Sequence, residues 1–198
     1  HNDLFVRHLE VVPAARAGVG LFHAAVLAGC TFVIALPVLL WGPVDGHDVG
    51  VHLHWIGNFR QSLAEGCWYP RWLRGVNNGS GSPTFNFYFP AFSYATVLTR
   101  LALPDLITSM WAVSALALWG SGVTMLLFLR SYCDRAAAML GAIIYMAAPY
   151  RMLDLYERGA FPESMAFVWP PLIVAAMDRH AASGSRRWLG VIALATGA

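Results

Sequence analysis

Residues 17–41, AGVGLFHAAVLAGCTFVIALPVLLW, carry no aspartate, glutamate, lysine or arginine. About 20 such residues cross ~30 Å of hydrocarbon as a helix, so this run calls for a membrane before anything else in the chain is read. It is too long for a signal-peptide core, and no small-residue cleavage site follows it. Composition agrees. The 198 residues are 58% hydrophobic and only 12% charged, where soluble domains carry about a quarter of charged residues, and mean hydropathy is +0.54.

The net charge of +2 is spread over short loops and forms no stripe, which argues against a nucleic-acid surface and makes membrane lipid the default partner. All 13 basic residues are arginine, a bias of GC-rich bacterial genomes, so a bacterial cytoplasmic (inner) membrane is the expected location. Cys30, Cys67 and Cys133 are too dispersed for a disulfide framework or a zinc spacing. The chain opens on His1 and stops within an apolar run, which reads as the N-terminal part of something longer.

Further apolar runs cover 106–129, 136–149, 163–177 and 188 onward. The expected fold is therefore all-α: a polytopic bundle of about five spans forming one transmembrane module over 1–198. Orientation follows from arginines, because short basic loops stay cytoplasmic. Arg7 and Arg16 precede the first span, Arg130 and Arg135 bracket the second loop, and Arg179, Arg186 and Arg187 fill the fourth. With five spans these sets share one side, the N-terminus is cytoplasmic, and 42–105 and 150–162 lie outside. Counting the aromatic segment 85–104 as a span would put the later arginines outside, so it reads as an interfacial or re-entrant helix.

In the first loop, DVGVHLHWIGNFRQSLAE (48–65) has helical spacing. Asp48, His52, Trp55 and Phe59 share one face, and Leu53, Ile56, Arg60 and Leu63 another. Asp48 and His52 thus point together. The plain reading is a helix-capping acid with an interfacial histidine. The company of Asp45, His47 and His54 at the mouth of a membrane bundle favours a functional site. A zinc site lacks a third ligand at a diagnostic spacing.

Trp68, Tyr69 and Trp72 follow as interfacial anchors, with Arg71 and Arg74 beside them suited to a phosphate or to lipid headgroups. The Asn77-Asn78-Gly79-Ser80-Gly81 run is a turn, not a phosphate-binding P-loop. In 148–164, APYRMLDLYERGAFPES, the spacing of Arg151, Asp154 and Arg158 allows i,i+3 and i,i+4 pairs. Either this loop is self-neutralised, or its arginines, against the positive-inside trend, meet a phosphate-bearing lipid headgroup.

Two stretches, GHDVGVHLHWIGNFRQSLAEGCWYPRWLRGVNNGSGSPTFNFYFPAF and YMAAPYRMLDLYERGAFPESMAFVWPPLIVAAM, resemble the N-terminal half of large bacterial and archaeal membrane proteins. These proteins carry the misleading label "6-pyruvoyl-tetrahydropterin synthase-related" and are themselves similar to GT-C glycosyltransferases. The most specific matches are Gly46-His47-Asp48 with His52, Tyr69-Pro70-Arg71-Trp72, and Pro149-Tyr150-Arg151 with Asp154-Leu155-Tyr156 and Arg158-Gly159.

The resemblance implies transfer of a sugar from a polyprenyl-phosphate donor to an extracytoplasmic acceptor, without a required metal or other cofactor. Asp48 takes the position of the general base, with Asp45 second and His52 a neighbour. Arg71, Arg151 and Arg158 become phosphate clamps, and Tyr88 and Asp154 fall in substrate-binding stretches. The chain departs from the family's mannosyl- and aminoarabinosyl-transferase branches in having Asp48-Val49 for Asp-Glu, and Tyr88-Phe89-Pro90 for His-Pro-Pro-Leu. Two rivals stand beside this enzyme. One is a non-catalytic structural subunit, a GT-C-like scaffold packed against other membrane proteins. The other is a polyprenyl-lipid carrier, which would need charges inside the spans.

Overall fold

The computed structural model describes residues 19–197; the expectations for Arg7 and Arg16 lie outside them. The elements are α1 (Leu21–Trp41), α2 (Val49–Ala64), a 3₁₀ turn (Thr84–Asn86), α3 (Ala91–Thr99), α4 (Leu106–Leu129), α5 (Arg135–Met146), α6 (Pro149–Met152), a π turn (Leu153–Arg158), α7 (Phe161–Ala166), α8 (Trp169–Ser183) and α9 (Arg187–Thr196). Among the described residues the only β pairing is an isolated antiparallel bridge, Leu73 to Ser82. The all-α expectation holds.

Three helical stretches are long and apolar enough to cross a membrane: Leu21–Trp41, Leu106–Leu129 and Arg135–Arg158. The chain is a membrane protein. The outer face of α1 says the same, since Phe22, Phe32, Val33, Leu39 and Leu40 are exposed from protein, the kind of apolar face that marks a membrane contact.

The first two spans fall where the sequence puts them. The third differs. Expected over 136–149, it takes in α5, α6 and the π turn, an apolar stretch of 24 residues that is broken at Ala147–Ala148, where Ala148 has ψ 137°. Pro149, which lacks an N–H, restarts the helix at the first position of α6, and the π turn stops at Gly159 with φ +69°.

The run 163–177 is divided between α7 and α8, because Pro170 and Pro171 start a new helix at Trp169. At 15 residues α8 is below the usual crossing length, and α9, with 10 residues, is a shorter apolar helix. The nine residues of α3 rise only about 14 Å, so this helix alone is too short to cross.

α4 is the hub, touched by α1, α2, α3, α5, α7 and α8. Its start is capped by Asp105, whose carboxylate accepts the Thr108 N–H at 2.7 Å and the Thr108 hydroxyl at 2.9 Å. Its buried hydroxyls return to the helix backbone, Ser114 to Met110 O and Ser121 to Leu118 O, so these two are paired within the helix. Midway, Gly122 lets three helices meet: a Cβ on it would stand 2.3 Å from Met146 Sδ of α5 and 3.3 Å from Leu27 Cδ2 of α1. The Trp119 indole N–H donates to Ala24 O at 3.1 Å, pinning α1 to α4.

The first loop carries its own small core. Phe59 of α2 packs with Leu73, Val76 and Phe85, and the Leu73–Ser82 bridge closes a tight turn in which Asn77 and Asn78 have φ +53° and +55°. Asparagine tolerates that left-handed region better than most residues, which explains the Asn-Asn-Gly sequence.

Candidate functional site

Along α2 the buried residues are Val49, His52, Ile56 and Phe59. This stripe straddles the two faces expected from spacing: His52 and Phe59 come from one, Ile56 from the other, and Trp55 is half-buried at the edge. Asp48 stands immediately before the helix, but its side chain makes no capping hydrogen bond, contrary to the capping expectation. Its backbone, at φ −103° and ψ 0°, is not in the extended region from which a capping side chain reaches the first-turn N–H groups; its N–H is committed elsewhere.

That commitment is a backbone clip between the two stretches singled out in the sequence. The His47 N–H donates to Glu157 O at 3.1 Å and the Asp48 N–H to Arg158 O at 2.7 Å. Two glycines permit the approach. A Cβ on Gly46 would lie 3.0 Å from Gly159 N and 3.1 Å from Glu157 O, and one on Gly159 would lie 2.5 Å from Val49 Cγ2. The π turn, a geometry that recurs at functional sites, ends in this contact.

The clip holds Asp48 half-exposed, with His52 one turn further on, its N–H donating to Asp48 O at 2.9 Å. Burial pushes the His52 imidazole below its ordinary pKa, and the Asp48 carboxylate offsets this only in part. His52 is thus a neutral imidazole at pH 7. It lies edge-on to Trp55 at 5.5 Å, and Trp55 in turn meets Tyr88 at 4.9 Å. Tyr88 therefore reaches the His52 neighbourhood through one indole.

Beneath the clip, Asp154 is fully buried and takes Arg158 Nη1 on Oδ1 at 2.5 Å. The same Nη1 lies 3.0 Å from Glu163 Oε2 and 3.2 Å from the Tyr150 hydroxyl, which donates to Glu163 Oε1 at 2.5 Å. Of the spacing-based pairs, Asp154–Arg158 forms. Arg151 does not join it by hydrogen bond. Only 1% exposed, its guanidinium lies over Phe167 at 4.5 Å and Tyr145 at 5.6 Å, and Nη2 donates to Ser164 O at 3.4 Å. Arg151 Nε and Nη1 and Asp154 Oδ2 are buried without a partner.

The remaining expected residues lie outside this cluster. Asp45 is exposed, and His47 Nε2 stands 3.9 Å from Glu157 Oε1. Arg71 is exposed, its guanidinium held 5.2 Å over the Tyr69 ring. Among the described residues no three His, Cys, Asp or Glu side chains converge as metal ligands.

Two parts of the site were not read from the sequence. Phe161, fully buried, joins His52 at 6.2 Å, Phe92 at 5.8 Å and Trp111 at 5.1 Å, linking the loop to α4. Glu157, Arg158 and Gly159 act through backbone atoms. The glycines in Gly-His-Asp and Glu-Arg-Gly were the available signal, but which glycine faces which depends on tertiary pairing. Compared with family models, curated proteins and solved structures, the chain matches none.

Proposed function

We propose that this chain is a module of a GT-C-like membrane glycosyltransferase that moves a sugar from a polyprenyl-phosphate carrier to an extracytoplasmic acceptor. The observation that carries this reading is the clip: it unites the two stretches on which the resemblance rests and leaves the Asp48 carboxylate uncapped, half-exposed and beside a neutral imidazole. A general base needs that accessibility and freedom from a competing cap.

In this scheme Asp48 takes the acceptor hydroxyl's proton as the donor phosphate leaves. His52 orients the acceptor or shares the proton, and Asp45 extends the acidic mouth. Arg71 is open to a phosphate. Arg158 meets a phosphate only by its exposed edge, since its Nη1 already serves Asp154 and Glu163. Arg151, sealed among aromatic rings, supports the turn instead of touching the donor. The topology that accompanies the proposal has five crossings, with α8 and α9 entering the membrane, α3 at headgroup level, and the clip outside the bacterial cytoplasmic membrane.

A second reading is favoured by the self-neutralised Asp154–Arg158–Glu163 cluster: a structural subunit on a GT-C-like scaffold, contacting other membrane proteins. One experiment separates them. Asp48→Asn in the full-length protein, expressed in a strain lacking the native copy, abolishes a glycolipid or glycan product under the enzyme reading. Unchanged products with unchanged protein level rule out Asp48 as the base and support the scaffold.

A further inference from the structure

Between α1 and α4 lies a cavity of about 320 Å³, roughly twice the volume that accommodates a benzene-sized ligand in an engineered protein core. Its α1 wall includes Ile34, Ala35 and Val38, its α4 wall runs from Thr108 to Leu118, and Leu155 and Tyr156 close one side. Ten residues of α4 rise about 15 Å, so the space is long and narrow.

It exists because small residues, Ala35, Ala112 and Ala115, stand where the two spans face each other. Its hydroxyls are turned away: Ser114 donates to Met110 O, and Tyr156 to Ile34 O. Apart from the Trp111 indole N–H, which is buried without a partner, the lining is nearly all hydrocarbon and fits a chain.

The mouth differs. Thr108 at the upper end holds the exposed Asp105 carboxylate, and those hydrogen bonds keep it below the ordinary carboxylate pKa and so ionised. Arg100 lies within Coulombic reach of Asp105. On the α1 side Pro43 lines the cavity. A carboxylate with a guanidinium beside it suits a zwitterion whose cation meets the acid and whose phosphate meets the arginine. The pair opposes a headgroup that is phosphate alone.

We infer that the α1–α4 groove binds an aminophospholipid of phosphatidylethanolamine type, one acyl chain along Ala112 and Ala115 and its ammonium against Asp105. This site is separate from the Asp48 chemistry and stands whether or not the glycosyltransferase reading does.

The test uses the full chain reconstituted in vesicles. Trp111 lines the groove and is 9% exposed, so its share of the emission, wild type minus Trp111→Phe, reports a chain inside. With phosphatidylethanolamine brominated in the acyl chain, that share is quenched at least twofold more than with brominated phosphatidylglycerol at equal mole fraction. Asp105→Asn keeps a good helix cap but removes the charge, and brings the two lipids level. Ala112→Leu with Ala115→Leu fills the groove and removes the quenching. No quenching of Trp111, equal quenching by both lipids in the wild type, or relief by stoichiometric polyprenyl phosphate would each overturn the assignment.

Discussion

At the residue scale, three glycines make opposite predictions. Gly46 and Gly159 face backbone and the Val49 side chain at 2.5–3.1 Å, whereas a Cβ on Gly50, the second residue of α2, meets nothing within 4 Å. Gly46→Ala and Gly159→Ala are expected to cost about 2 kcal/mol or more, Gly159 also through its left-handed φ. Gly50→Ala is expected to gain a few tenths to about 1 kcal/mol from helix propensity. Unfolding midpoints in detergent, with limited proteolysis of 42–48, distinguish these; a stable Gly46→Ala chain with an uncut loop would mean that the clip is not required.

His52 adds a pH signature. Its folded pKa is below the model-peptide value of 6.5, so the unfolded chain takes up a proton first as pH falls. The stabilisation is complete above about pH 6.5 and is lost below it, down through the folded pKa, by at most about 1.4 kcal/mol per pH unit. His52→Gln is expected to flatten this part of the stability profile between pH 7.5 and 5.5. An identical profile for both proteins would show that His52 is not the group responsible.

At the element scale, the segment 149–163 behaves as a unit. Arg158 is the cation hydrogen-bonded to the buried Asp154, and removing one member of such a pair leaves an uncompensated charge. Arg158→Met is expected to lower the unfolding midpoint by several degrees, and adding Asp154→Asn on that background to restore most of it. Additive losses in this cycle would show that the two side chains are not coupled. The π turn was invisible in the sequence, since it depends on Gly159 and on where Arg158 O is drawn by Asp48 N–H. The i,i+4 spacing of Asp154 and Arg158 was legible because it is local; the stacking of Arg151 on Phe167 was not.

At the scale of the whole molecule, the native cysteines test the topology. Cys67 and Cys133 are exposed and free, and α4 lies between them. A membrane-impermeant maleimide is expected to label Cys67 in intact cells and Cys133 only after the membrane is opened. Labelling of both from one side would remove α4 as a span. The same scale explains why the span count was hard to read. Hydropathy reports apolar length but not continuity, so it ended the third span near Pro149, where a new helix begins and carries the stretch to Arg158, and it merged α7 with α8 across the Phe167–Val168 break.

By itself the sequence determined a membrane-embedded helical chain, the limits of its α4 span, and the polar cluster that follows its first span. Those depend on hydropathy and on neighbours three or four residues apart. Only the tertiary structure decided that Gly46 meets Gly159, that Arg151 is sealed under aromatic rings, and that small residues on α1 and α4 leave a groove between them. Each is a contact between segments far apart in sequence, set by how closely two backbones can approach when a side chain is missing.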